Sequence, residues 1–356
     1  MTAAPPRHGA PYNGPVFFDE EPPPKRRKTG RWVLGGFAVL VVLGLLASLT
    51  YLFVLQRSYN ENVTHFPSAE DGQSAVFPPE EERPADDDAL NILLLGSDSG
   101  GGSGDNENLP RVPGGGRSDT MMLVHIPESR DAVSVISIPR DLWVEIPGGY
   151  GWHKVNAGLA LGGGQGPGLT VATIESLFDV RVDHVAAIDM LGFAGLVDSM
   201  GGVTVNSPMA FTAQNGMSFA EGPQHMTSEQ ALAFVRERKA FPTGDLQRIQ
   251  NQQTFIRAVI DQAATPSTLS NPVRVNEMVG TFAQHLITDE ELDAGAAASL
   301  AWSARGAVNN MQFTTLPTAG NGYSADGQWI FYQDTEAIAA MSQHMKDGTL
   351  ADHLSQ

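Results

Sequence analysis

From residue 90 onward the chain alternates short apolar runs with polar turns. Leu90-Asn-Ile-Leu-Leu-Leu-Gly96 stops at a glycine, as a strand buried on both faces does. Two further strands are predicted over Thr120 to Ile126 and Ala132 to Ile138, joined by the turn-like Pro127-Glu-Ser-Arg-Asp131. Val182 to Met190 reads as a strand, and Gly192 to Met200 as a helix that ends at Gly201-Gly202. Thr227-Ser-Glu-Gln230 has the spacing of a capping box and predicts a helix through Val235. Asp245 is placed to cap the next helix, whose apolar face holds Ile249, Ile256, Val259 and Ile260. Strands interleaved with helices predict an α/β fold, a three-layer α-β-α sandwich around a mixed central sheet.

The longest apolar run lies ahead of this domain. Trp32 to Leu55 contains 24 residues without a charge. As a helix it is about 36 Å long, against a hydrocarbon core of about 30 Å. Lys25, Arg26, Arg27, Lys28 and Arg31 precede it, whereas only Arg57 follows closely. The expectation is a single transmembrane helix over 32–55, preceded by a disordered cytoplasmic tail over 1–31. Residues 56–88, with Glu80-Glu-Glu82 and Asp86-Asp-Asp88, read as an acidic flexible stalk. A folded extracytoplasmic domain is predicted over 89–345, followed by a C-terminal tail over 346–356.

Charge sharpens the picture. The net charge is -18, which excludes general nucleic-acid binding, and the absence of cysteine excludes disulfides and thiolate metal sites. Beyond residue 57, 15 Lys and Arg stand against 37 Asp and Glu. Seven of those 15 (Arg117, Arg140, Lys154, Arg236, Arg238, Lys239 and Arg248) fall within four short motifs. These are Arg117-Ser-Asp-Thr, Pro139-Arg-Asp, Lys154-Val-Asn, and Arg236-Glu-Arg-Lys running on to Gly244-Asp-Leu-Gln-Arg-Ile-Gln-Asn-Gln-Gln253. Such concentration in an anionic chain predicts a positive pocket for an anion, and the planar fork of Arg favours phosphate.

Ser97-Asp98 and Pro139-Arg-Asp141 follow predicted strands, at the edge where α/β sheets bind ligands. Arg117 and Asp119 reach that edge only if their strand runs antiparallel to its neighbour. Asp98 and Asp119 are candidate Mg²⁺ ligands, since Mg²⁺ takes one or two carboxylates and completes its shell with water and phosphate. Arg236 and Arg238 point the same way if the backbone between them is extended, and Arg248 and Gln252 share a helix face. Ordinary surface ion pairing, to Glu237 or Asp245, is the alternative for any one of them. Trp143, Trp152, Trp302 and Trp329 read as core or rim aromatics. No His-Glu-x-x-His, Gly-x-Ser-x-Gly or P-loop pattern is present.

Taken in order, Leu-Leu-Leu-Gly-Ser-Asp98, Arg117-Ser-Asp-Thr120, Ser137-Ile-Pro-Arg-Asp141, His153-Lys-Val-Asn-Ala157, Phe234-Val-Arg-Glu-Arg238 and the Gly244–Gln253 segment resemble the LytR–CpsA–Psr family. A long Gly-rich insertion between Asp98 and Arg117 departs from its pattern. The resemblance implies a phosphotransferase of the bacterial cell membrane, which moves a glycopolymer from a polyprenyl-pyrophosphate-linked donor to a sugar hydroxyl of peptidoglycan. It implies Mg²⁺ on Asp98 and Asp119. Arg117, Arg140, Lys154, Arg236, Arg238 and Arg248 would neutralise the pyrophosphate oxygens, with Gln252 as a neutral donor and Asp119 or Asp141 assisting deprotonation. A pyrophosphatase acting on the same donor and a non-catalytic polyprenyl-phosphate-binding scaffold are the rival readings.

Overall fold

The computed structural model describes residues 48, 50–66, 76–97, 118, 120–161 and 166–355. The predicted tail over 1–31 and most of the predicted span over 32–55 lie outside them. No helix among the described residues is long and apolar enough to cross a membrane.

Seven strands form one mixed sheet. They are β1 (Thr64–His65), β2 (Leu90–Ser97), β3 (Thr120–Ile126), β4 (Val133–Ile138), β5 (His184–Asp189), β6 (Leu286–Thr288) and β7 (Met311–Thr315), in the spatial order β1-β6-β5-β2-β3-β4-β7. β2 runs parallel to β5 and β4 parallel to β7, while β3 is antiparallel to both β2 and β4. Short turns suit antiparallel neighbours, so the six-residue link over 127–132 fixes the direction of β3. The ends of β2, β4, β5 and β7 and the start of β3 therefore share one edge of the sheet.

Helices cover both faces. They are α1 (Gly166–Phe178), α2 (Met190–Ser199), α3 (Ser228–Arg236), α4 (Asp245–Ala263), α5 (Pro272–Ala283), α6 (Ala294–Ser303) and α7 (Thr335–Lys346). On one face Leu93, Leu95, Leu123 and Ile136 pack against Val171, Ile174 and Phe178 of α1 and Ile338 and Met341 of α7. The opposite face, with Ile92, Leu94 and Val124, lies against Ile256 of α4 and Leu300 of α6. A satellite cluster joins α2, α3 and α4 to the hairpin of Val203–Ser207 and Gly222–Met226.

Three boundaries differ from expectation. The acidic stalk is folded over its described parts: residues 51–62 are helical, Tyr59 is buried, and β1 pairs in parallel with β6. Val76 and Phe77 pack against the main core, and Arg83 is tied to the buried Glu175. Acidic, Pro-rich composition hid these few anchoring residues. The C-terminal tail also belongs to the domain, because Leu350–Leu354 is a helix and Leu350 is buried in the core. Finally, Gly244 caps α4 with a positive φ of 51°, and Asp245 is the first helical residue. The capping box at Thr227 and Gln230 forms with both of its hydrogen bonds.

One buried polar pair on β2 and β3 makes stability depend on pH. The His125 ring donates from Nδ1 to Asn91 Oδ1 at 2.8 Å, and its buried Nε2 finds no hydrogen-bond partner among the described residues. Burial, reinforced by the Arg130 charge, pushes the His125 pKa down to about 4. An unfolded histidine binds a proton near pH 6.5, so the unfolded chain holds more protons between the two values. Stability is thus fully present above pH 6.5 and declines as pH falls toward 4. Between pH 7 and 5 the loss from this residue is about 2 kcal/mol. Urea unfolding of His125→Gln, which retains a donor for Asn91, is expected to lose about that much less over the same range. Equal losses in both proteins would show that His125 titrates normally.

Candidate active site

The segments that build the site converge because each leaves a strand or helix at the shared sheet edge. Pro139 ends β4, and Arg140 and Asp141 follow it. A hairpin of Trp143–Ile146 and Gly151–Lys154 comes next, with Trp143 paired to Lys154. Val155 N–H donates to Leu142 O at 2.8 Å and Asn156 N–H to Arg140 O at 3.3 Å, which turns the Lys154-Val-Asn segment back onto the Arg-Asp segment. Lys154 Nζ thereby meets Asp141 Oδ1 at 2.8 Å.

Asp245 is the second hub. Its Oδ1 lies 2.8 Å from Arg248 Nη2, 3.5 Å from Arg140 Nε and 3.7 Å from Arg238 Nε. Arg140 Nε also lies 3.6 Å from Asp141 Oδ2 and so bridges the two carboxylates. Burial pushes the Asp245 carboxyl above the usual carboxylate range, against the downward pull of Arg248, Arg140 and Arg238. Three converging arginines are what keep a carboxylate tolerable at this depth. The cluster holds four cations and two carboxylates, leaving two positive charges for a ligand.

The start of α4 shows why its periodicity misleads. Its first two turns bury Asp245, Arg248, Asn251 and Gln252 beside Ile249, so polar residues occupy the inward face. Asn251 Nδ2 donates to Phe234 O at 3.2 Å and Gln252 Nε2 to Val235 O at 3.4 Å. Gln252, expected as a donor to substrate, is thus used in part to satisfy the last carbonyls of α3.

Arg236 and Arg238 take different paths. Helix α3 runs through Arg236, and Glu237 just beyond it is extended. Arg236 is exposed and lines a cavity of about 520 Å³ with Gln214, Asn215, Glu229 and Leu232, whereas Arg238 reaches Asp245. Between them Glu237 is buried and accepts from the N–H groups of Gln214 at 2.6 Å, Ala240 at 2.9 Å and Arg238 at 3.0 Å. Burial raises its pKa, but these backbone donors outweigh burial and hold it below the ordinary value. Glu237 fixes the turn that carries Arg238. The sequence offers both as surface ion-pair partners of these arginines; the structure makes Asp245 a buried hub for three of them and gives Glu237 to the backbone instead.

Asp98, Arg117 and Asp119 lie outside the described residues. Their neighbours show where the chain enters and leaves: Gly96 pairs with Thr120, and Ser118 Oγ donates to Gly96 O at 3.1 Å and Thr120 O at 2.7 Å. No group of three or more His, Cys, Asp or Glu positioned for a metal occurs among the described residues.

The model of the LytR_cpsA_psr family matches residues 51–347. The chain belongs to this family. Its match begins at the residues that fold onto the sheet edge, ahead of the domain start expected from composition. Among curated relatives, a polyisoprenyl-teichoic acid–peptidoglycan teichoic acid transferase TagU from Oceanobacillus iheyensis is 33% identical over 91% of this chain and 96% of its own. The fold is shared with crystal structures of B. subtilis TagV, at a TM-score of 0.59 and 21% identity over 74% of this chain and 98% of that one. It is shared too with a LytR-Csp2A-Psr enzyme from Actinomyces oris, at 0.57 and 22% identity over 74% and 93%.

Proposed function

We propose that this protein is a phosphotransferase that moves a glycopolymer from a polyprenyl-pyrophosphate carrier to a sugar hydroxyl of peptidoglycan, working outside the membrane to which residues 32–55 anchor it. The observation that carries this reading is the convergence of Arg140, Lys154, Arg238 and Arg248 on Asp141 and Asp245. A pyrophosphate esterified at both ends carries two negative charges, which match the two positive charges left over. The curated TagU relative names the same class of donor and acceptor.

The chemistry follows from placement. The acceptor oxygen attacks the phosphorus that bears the sugar, and a new P–O bond forms as the bond to the bridging oxygen breaks. The hydroxyl proton passes to a base, Asp119 or Asp141, and polyprenyl phosphate leaves with the electron pair. Arginines held by two carboxylates meet the developing charge without reorganising, which is where most rate enhancement in phosphoryl transfer arises. Arg140 and Lys154 line up on Asp141, while Arg238 and Arg248 are held by Asp245. Both described carboxylates of the site face cations, so Asp98 and Asp119 at the neighbouring strand ends are the residues that would hold Mg²⁺. Bound there, the ion would neutralise charge on the phosphate oxygens.

The two faces of the sheet favour a place for the prenyl chain. Leu93, Leu95, Leu123 and Ile136 are 0–1% exposed on the face beneath α1 and α7. On the other face Ile92, Leu94, Val124 and Phe313 remain partly exposed beneath Ile256 and Leu300. A half-covered apolar face gains most from an inserted hydrocarbon.

The decisive experiment supplies the full-length chain in detergent with a polyprenyl-pyrophosphoryl glycan, Mg²⁺ and a peptidoglycan oligomer, and reads the products by mass spectrometry. A phosphodiester-linked glycan on the oligomer is the expected product. Free glycosyl phosphate in its place would make the protein a pyrophosphatase, and tight donor binding without turnover would make it a scaffold.

A further inference from the structure

The described surface carries few large exposed aromatics, and they are unevenly placed. Past residue 62, Tyr150, Trp152, Tyr323, Trp329 and Tyr332 all lie on two hairpins, and Trp302 alone lies elsewhere. One hairpin is Trp143–Ile146 with Gly151–Lys154, and the other is Thr318–Tyr323 with Trp329–Gln333. They join into one ledge. Leu142 and Phe331 form a parallel bridge, Phe331 N–H donates to Asp141 O at 2.9 Å, and Gln333 Nε2 donates to Trp143 O at 2.8 Å.

Register sorts the side chains of this ledge onto two faces. Leu142, Val144, Ile146 and Phe331 point into the core. Alternation sends Asp141, Trp143 and Glu145 to the other face, together with Trp152 and Lys154, which pair with Glu145 and Trp143. The 2.8 Å contact of Lys154 with Asp141 confirms this sorting. One step beyond the Leu142–Phe331 bridge, Tyr332 stands beside Trp143 on the same outward face. Its ring lies across Gly322, where any Cβ would collide with the Tyr332 ring and hydroxyl. Tyr332 is 41% and Trp152 52% exposed, so both side chains are accessible to a ligand.

We propose that this outward face of Tyr332, Trp143 and Trp152 is a docking platform for the acceptor, the chain of β-1,4-linked N-acetylated amino sugars in peptidoglycan. This rests on the transferase reading above and adds where the acceptor lies. The platform is continuous with Asp141 and Lys154, so a saccharide stacked on it brings a hydroxyl to the transfer site. Aromatic faces match the apolar C–H face of a pyranose ring, while the ring edges leave sugar hydroxyls and acetamido groups in water. Charge selects between the two substrates. Apart from the active-site pair, the platform carries only Glu145, so it has no excess positive charge for an anionic polymer. The neutral glycan is the partner it fits.

The test uses the full-length chain in detergent and a β-1,4-linked N-acetylglucosamine hexamer as probe, with calorimetry for binding and steady-state kinetics for transfer. Trp152→Ala and Tyr332→Ala are each expected to weaken hexamer binding and raise the acceptor KM about tenfold, the loss of one stacked ring. Donor affinity is expected to stay at the wild-type value, as is everything in Trp302→Ala. Gly322→Ala, which displaces the Tyr332 ring without removing any aromatic, is expected to behave like Tyr332→Ala. Unchanged hexamer binding in all three platform variants, a loss confined to donor affinity, or wild-type binding of the stem peptide but not the hexamer would each overturn the proposal. If the wild type binds the hexamer through Trp152 yet makes no linked product, the platform stands and the transferase reading fails. Transfer that proceeds with platform-independent acceptor KM sinks the platform alone.

Discussion

Replacing Arg140 with alanine is expected to lower kcat/KM for glycopolymer transfer by roughly 10²–10³, the usual cost of removing one preorganised donor from a developing oxyanion. Arg140 is the only described cation of the cluster that touches both carboxylates, at 3.6 Å from Asp141 and 3.5 Å from Asp245. Its removal takes away a charge and also uncouples the Lys154 side of the site from the Arg238 and Arg248 side. Arg140→Lys is expected to recover little, because an ammonium at the chain's end cannot hold a charge between the carboxylates at Nε and still present a planar set of donors beyond it. The side chain is about four-fifths buried at the site's edge, so a thermal melt should accompany the kinetics. A loss of less than threefold with an unchanged melting temperature would mean that the pyrophosphate lies elsewhere.

Arg140 and Asp141 are more legible in the sequence than any other part of the site. Pro139-Arg-Asp141 follows an apolar strand, and basic residues in so acidic a chain are conspicuous wherever they gather. The antiparallel course of β3, required for Arg117 and Asp119 to reach the same edge, follows from the short turn after Ile126 and is what the structure has. The capping box was equally legible, since it depends only on residues three apart. What sequence could not supply was which acidic residue each basic one meets. Asp245 at the start of a helix reads as a cap, and only three-dimensional convergence makes it the hub for three arginines. Arg236 and Arg238 looked equivalent because nothing local says that the helix continues through one and stops before the other. Polar residues on the inward face of α4 likewise look like a solvated surface until the site they line is known. Sequence makes the tryptophans core or rim aromatics, and the structure leaves Trp152, Trp302 and Trp329 exposed.

The least legible segment makes the largest prediction for stability. Glu80-Glu-Glu82 and the surrounding prolines describe a solvated linker, yet the side chain of Arg83 next to them is buried. Its Nε and Nη2 donate to Glu175 Oε1 at 3.0 and 2.9 Å, Nη2 also donates to Val182 O at 2.5 Å, and the guanidinium lies 4.7 Å from the Phe77 ring centroid. The side chains of Arg83 and Glu175 are 6% and 3% exposed. Arg83→Ala leaves the Glu175 carboxylate buried in the core with, among the described residues, only the Val182 N–H at 3.0 Å. Stranding a buried charge in this way costs about 3–5 kcal/mol. In a domain of this size that corresponds to a fall in melting temperature of roughly 5–8 °C. Replacing both partners, as Arg83→Met with Glu175→Leu, removes the stranded charge and is expected to restore most of the loss. The double variant therefore separates an electrostatic clasp from mere packing at Phe77. If Arg83→Ala melts within 2 °C of wild type, residues 76–88 are dispensable for the fold and behave as the linker their composition describes. If it melts as expected, the folded domain begins well before residue 89. The helix over residues 51–62 then leads directly into β1 as part of that domain.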